Sequence, residues 1–180
     1  RNKLLITDWD EQDYSELDFY DLYERLYYIK YGIYVPYEAN EGAEYEIPEQ
    51  DFEEVIQSYF QIEREQIAAN TAYEPHERAY RYRPRGFKDA ELPFGPYPEV
   101  ISYEEQEDGT IRLFIEAVWE RKMTDHAVTS ELVVRPLEDG SFQYVSNQVT
   151  GWDNTLEILW YTPRLTDEEW QYYYADIQNG

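Results

Sequence analysis

The stretch "EVISYEEQEDGTIRLFIEAVWER", residues 99–121, holds Asp108–Gly109 between two β-prone runs. An Asp-Gly pair is a strong signal for a two-residue hairpin turn. Such a turn sets the register. It pairs Tyr103 with Phe114 and Glu105 with Arg112 on one face, and Val100 with Ala117 and Ser102 with Ile115 on the other. Residues 127–150, "AVTSELVVRPLEDGSFQYVSNQVT", repeat the device at Asp139–Gly140, with Val134 opposite Val145 and Arg135 opposite Tyr144. Two successive hairpins predict an antiparallel meander of four strands or slightly more.

Toward the N-terminus the pattern turns helical. Residues 1–14 read as an extended polar lead-in, and Ser15 with Asp18 imitates a capping box. Phe19, Leu22, Tyr23, Leu26 and Ile29 keep helical spacing, and Gly32 sits where a C-terminal cap belongs, so a helix is predicted over 15–31. Pro48 fits the first position of a second helix. Its early acids, Glu49, Asp51 and Glu53, suit the positive end of the dipole, and Phe52, Val55, Ile56 and Tyr59 make its buried stripe. A short helix is expected over 63–69. Residues 33–47 read as a connector, and the proline-rich 91–98 as an irregular loop. "AYRYRPR", if extended, puts Tyr80 and Tyr82 on one face and Arg81, Arg83 and Arg85 on the other. Thr166 and Glu169 have true capping-box spacing and open a final helix of about 167–176 that buries Trp170, Tyr173 and Tyr174.

Helices first and an antiparallel sheet after is an α+β order. Residues 1–44 are expected as an N-terminal arm with one amphipathic helix, and 45–180 as a single α+β domain with a short C-terminal helix. A helix laid across a curved meander is the plan of cystatin-like and nuclear-transport-factor-2-like cones, a likeness of fold alone.

Charge and composition narrow the function. The formal charge is -24, from 39 acids and 15 bases. Such a surface repels phosphate backbones and anionic lipid heads, so nucleic acid is an unfavoured partner. The chain has no cysteine, which excludes disulfides, zinc–thiolate sites and thiol nucleophiles. No run of 18 apolar residues exists, so no membrane-spanning segment is predicted. Twenty tyrosines imply many half-buried rings with wet hydroxyls. No nucleophile elbow, zincin helix, phosphate loop or dinucleotide fingerprint is present. No catalytic residue, metal site or cofactor is therefore assigned, and the oligomeric state stays open.

Six features compete for a site. "DWDEQDYSELDF", residues 8–19, begins like a calcium loop with Asp8 and Asp10, but Gln12, Asp13 and Phe19 break the pattern, so it reads as an acidic lead-in. Arg81, Arg83 and Arg85 form a basic island with Arg78 and Lys88. It is either an anion or acidic-glycan site or a set of guanidiniums paired with the protein's own acids, and the second reading is preferred. Asp125 and His126 could be a base and its orienter, yet sequence neighbours rarely meet in that geometry. Glu116 is the carboxylate to inspect for glycosidase-like hydrolysis, inside the sheet by the predicted register. Tyr103, Phe114 and Tyr144 could share one sheet face, with Trp119 near its end, and line a concave pocket where sugar rings stack. Ordinary helix-on-sheet packing is the plainer reading of these rings. Within "YYIKYGIYVPY", residues 27–37, Tyr28, Tyr34 and Tyr37 fall outside the core stripe and are the rings to examine for a partner.

"PYPEVISYEEQEDGTIRLFIEAVW", "VRPLEDGSFQYVSNQV" and "WYTPRLTDEEW" together resemble an uncharacterised domain family of secreted proteins and lipoproteins of gut Clostridia, over about residues 45–176. The resemblance implies an exported, extracellular or cell-surface domain, with any lipid anchor lying outside this sequence. It carries no activity and no site residue. The expected function is a non-enzymatic surface domain that binds a protein or glycan through an aromatic-lined concave face. The alternatives are a small hydrolase using buried carboxylates and a structural spacer without ligand.

Overall fold

The structure is a computed structural model that describes residues 3–91, 95–156 and 160–178. In chain order it contains β1 (Trp9–Asp10), α1 (Phe19–Tyr31), β2 (Tyr45–Pro48), α2 (Glu49–Tyr59), α3 (Arg64–Ala69), β3 (Tyr73–Glu74) and β4 (Ala79–Tyr82). Then follow β5 (Tyr97–Glu105), β6 (Ile111–Val118), β7 (Val128–Pro136), β8 (Phe142–Trp152) and α4 (Asp167–Gln178). One antiparallel sheet runs β1-β8-β7-β6-β5 and a smaller one runs β2-β4-β3. The α+β class is as expected, with β1 added to the edge of the predicted meander. The small sheet was not foreseen. Most of β2 lies in the segment read as a connector, and two to four residues, as in β3 and β2, are too few to show a period. The irregular loop expected at 91–98 falls in part on 92–94, outside the described residues, and Tyr97 and Pro98 already belong to β5.

Both hairpins turn where expected but with a different loop. Gly109 N–H donates to Gln106 O (3.0 Å) and Gln106 N–H to Thr110 O (2.8 Å). Gly140 N–H donates to Leu137 O (3.0 Å) and Leu137 N–H to Ser141 O (2.8 Å). Gly109 and Gly140 have φ of 83° and 84°, a region cheap only for glycine. These are three-residue loops closed by a left-handed residue, Glu107–Gly109 and Glu138–Gly140. Asp108 and Asp139 hold them by accepting hydrogen bonds from the backbone N–H and hydroxyl of Thr110 and Ser141.

The longer loop shifts the register by one residue. Tyr103 stands opposite Leu113 and Glu104 opposite Arg112; a bulge at Ile101 then sets Val100 opposite Ile115. Val134 faces Tyr144 and Arg135 faces Gln143. All six predicted cross-strand pairs are therefore corrected, and Tyr103 and Phe114 fall on opposite faces.

The helices follow their stripes with local amendments. α1 starts at Phe19, not Ser15, because Ser15 N–H is tied to the Asp13 carboxylate (2.9 Å) while Asp18 caps the helix by accepting from the N–H groups of Tyr20 and Asp21. Phe19, Leu22, Tyr23 and Leu26 are buried, but Ile29 is 46% exposed, against expectation. Glu63 and Gln66 form a capping box on α3, and Thr166 and Glu169 form the predicted one on α4. On α4, Trp170 and Tyr174 are buried while Tyr173 is 44% exposed, a second correction.

One core joins the N-terminal segment (Leu4, Trp9, Tyr14) and both helices to the two sheets. On the small-sheet side Phe52 is stacked between Tyr23 (4.7 Å between centroids) and Tyr80 (4.5 Å). On the large-sheet side Phe60 packs against Phe19, Trp9 and Tyr144. A satellite cluster of Ala117, Ala127 and Val128 lies under Trp119 and Trp160. Because Phe52 is fully buried between two rings, Phe52→Ala is expected to cost about 3–5 kcal/mol, read from urea unfolding midpoints. A loss below about 1 kcal/mol would contradict this packing.

Candidate functional site

The N-terminal half of α1 carries Asp18, Asp21 and Glu24, three residues apart and therefore on one face. Residues 161–164 bring Tyr161 and Arg164 onto them. Arg164 Nη2 donates to Asp21 (2.6 Å) and Glu24 (2.8 Å), its Nε is 3.4 Å from Asp18, and its Nη1 donates to Arg83 O. Arg85 grips both oxygens of Asp21 at 3.0 and 2.9 Å and donates to the carbonyls of Asp89 and Thr162. Tyr161 donates to Asp18 and Asp21, and Tyr82 to Glu24. Asp21 is buried, and burial alone would raise its pKa. The hydrogen bonds and charges of Arg85 and Arg164 outweigh that and hold it below the usual carboxylate range.

Beyond this network α1 and the large sheet separate into a cleft of about 800 Å³. Arg25, Tyr28 and Ile29 of α1 and Tyr34 just beyond it form one wall; Ala117, Val128, Tyr144 and Trp160 line the other side. Tyr28 and Tyr34 stack at 4.9 Å between centroids and are 39% and 79% exposed. Pro96 and Pro98, at the start of edge strand β5, border the opening.

Of the residues expected to line an aromatic pocket, only Tyr144 does so. Tyr103 projects from edge strand β5 and is 65% exposed. Phe114 is on the outer sheet face opposite Glu131 and Ser102, and Glu116 is on that face too, half-buried opposite Thr129 and Glu99. Trp119, just past β6, packs edge-on to Trp160. The register shift and the Ile101 bulge disperse the set. Tyr28, singled out by helical projection, and Tyr34, singled out in the connector, are at the cleft, whereas Tyr37 is half-buried against Tyr45 and Tyr82.

The basic island is taken up internally. Arg83 donates to Glu44 and Asp167 (2.6 Å each) and lies 4.1 Å over the Trp170 ring; Arg81 reaches Asp167 at 3.3 Å, and Arg78 pairs with Glu49. The acids that began like a calcium loop serve the backbone. Asp10 accepts from the N–H groups of Gln12 and Asp13, and Asp8 from that of Val149. Among the described residues no group of three His, Asp or Glu side chains could hold a metal ion. Asp125 and His126 do meet, at 2.7 Å, contrary to expectation, and this hydrogen bond raises the His126 pKa. Both are exposed on the turn between the hairpins. No helix among the described residues is long and apolar enough to cross a membrane.

The fold and cleft define an α+β domain with a partly open aromatic groove. The chain belongs to a family described as "Family of unknown function (DUF6070)", whose model matches residues 1–164. That match takes in residues 1–44, which the sequence resemblance left outside. No curated protein and no solved structure matches the chain, so the cone likeness has no solved structure behind it.

The Asp21 network gives a pH prediction with a definite sign. A carboxylate whose folded pKa is depressed stabilises the fold above its unfolded pKa, about 3.9, and that contribution fades as pH falls through the folded value. Asp21→Asn is expected to lower stability by about 3–5 kcal/mol at pH 7, since it leaves two buried guanidiniums under-compensated. The variant should also lose less stability than the parent between about pH 4 and pH 2 in urea titrations. Parallel pH profiles would contradict the assignment.

Proposed function

We propose that this domain is a non-enzymatic, exported cell-surface module that binds a protein or glycan partner through the cleft between α1 and the large sheet. The observation that carries this reading is the stacked, exposed Tyr28–Tyr34 pair on the wall of an apolar groove with Tyr144 and Trp160 on its other side. Exposed aromatic surface around a concave site is the chemistry of recognition, and isolated exposed apolar residues do not assemble this way. Export rests on the sequence resemblance.

Hydrolysis finds less support. Glu116 is on the face away from the cleft, and Asp21 and Glu24, which line it, are committed to Arg85 and Arg164. A spacer would need a flat charged surface, which the cleft interrupts.

A thermal-shift screen of glycans and peptides tests the reading. A ligand of the folded state at a hundredfold excess over its Kd adds about 2.7 kcal/mol of apparent stability and raises Tm by several degrees. The shift should vanish in the Tyr28→Ala, Tyr34→Ala double variant. A shift that survives in that variant, or a screen with no shift at all, would contradict the role of the cleft.

A further inference from the structure

Most cations of this acidic chain are held by its own carboxylates, as at Lys30–Glu54 (2.9 Å), Arg64–Glu53 (2.6 Å) and Arg135–Glu11 (2.8 Å). Lys88 and Lys122 lie over the rings of Tyr173 and Trp119. Among the described residues Arg25 is an exception. It is exposed on α1, lines the cleft one turn before Tyr28 and Ile29, and among the described residues has no carboxylate, carbonyl or ring partner. Its nearest acids on the helix, Asp21 and Glu24, are turned to Arg85 and Arg164. Its charge is felt across the groove: burial raises the Tyr144 pKa, and Arg25 works against that rise.

We infer that the cleft takes a saccharide bearing a single carboxylate, with a sugar ring on the Tyr28–Tyr34 pair and its acid group on the Arg25 guanidinium. This rests on the binding role proposed above and names the ligand class. A guanidinium presents a planar fork of donors that fits a carboxylate at two points. The tyrosine faces take the CH side of the ring. One acid group is the limit the surroundings set. The net charge is -24, and β5 beside the opening carries Glu99, Glu104 and Glu105. A polyanionic chain running from the opening along β5 would meet these charges one after another, each felt within a Debye length of about 8 Å. An extended acidic peptide laid along β5 suffers the same penalty, which favours the saccharide.

The test pairs each acidic sugar with its neutral parent in isothermal titration calorimetry: sialyl-lactose beside lactose, and a glucuronate-capped xylo-oligosaccharide beside the uncapped one. The acidic member of at least one pair should bind more tightly. Arg25→Gln should weaken that binding by about tenfold or more beyond any loss for the neutral parent, the scale of a lost charge-assisted contact. Arg25→Lys should restore part of it, because an ammonium keeps the charge and loses the fork. Equal affinity for both members of each pair, or acid selectivity that persists in Arg25→Gln, overturns the inference. Neutral-sugar binding that depends on Tyr34 and not on Arg25 would keep the cleft role and remove the acid requirement. If no sugar binds, the saccharide inference falls, and the cleft role is decided by the peptide arm of the screen.

Discussion

A buried carboxylate on the first turn of α1 governs much of this fold. Asp21 is removed from water, an arrangement that costs several kcal/mol unless the charge is matched. Two guanidiniums from distant parts of the chain, Arg85 and Arg164, supply the match. Each brings its own segment along. Arg85 ties the loop after β4 to residues 89 and 162 through carbonyl acceptors, and Arg164 reaches back to the carbonyl of Arg83. The acids also lie near the positive end of the α1 dipole, which favours negative charge there. The helix is thereby fixed against β4 on one side and the approach to α4 on the other. Its C-terminal half, with Arg25, Tyr28 and Ile29, is left as one wall of the open cleft.

The aromatic content divides along the same line. Where α1 and α2 meet the small sheet, Tyr23, Phe52 and Tyr80 form a continuous stack, and Tyr80 Oη donates to Glu53 (2.9 Å). These tyrosines act as core, with the hydroxyl satisfied by an acid that is itself held by Arg64. Past the Asp21 network, Tyr28 and Tyr34 stack on each other at the surface. A chain rich in tyrosine can use one residue type for both purposes because the ring packs like a hydrophobe while its tip tolerates water.

How much was legible in the sequence depended on how local the cause was. The stripe of α1, the Gly32 cap, the alternation of Tyr80 and Tyr82, and the Thr166–Glu169 box all arise within a few residues and were readable. The strand register was not, because Asp-Gly serves both two-residue and three-residue loops and the choice moves every pair by one. That one step scattered Tyr103, Phe114 and Glu116 away from Tyr144. Asp21 and Glu24 project to the polar side of the helix and read as solvated. They are covered because Tyr82, Arg85 and residues 161–164 reach them, contacts made by segments far away in sequence. The arginines that drew attention as a cluster are internally paired, while Arg25, a lone cation on a helix, gave no local sign. Tyr28 and Tyr34 were found because they failed to fit the core stripe.

The most direct test of the structural account is a double-mutant cycle between Asp21→Asn and Arg85→Gln, followed by urea unfolding at pH 7. If the bidentate pair fixes α1 as described, the coupling free energy should be about 2 kcal/mol or more, since each single change leaves the other partner buried and under-compensated. A coupling below about 0.5 kcal/mol would mean that the two side chains act independently, and the account of how α1 is seated and the cleft formed would be wrong.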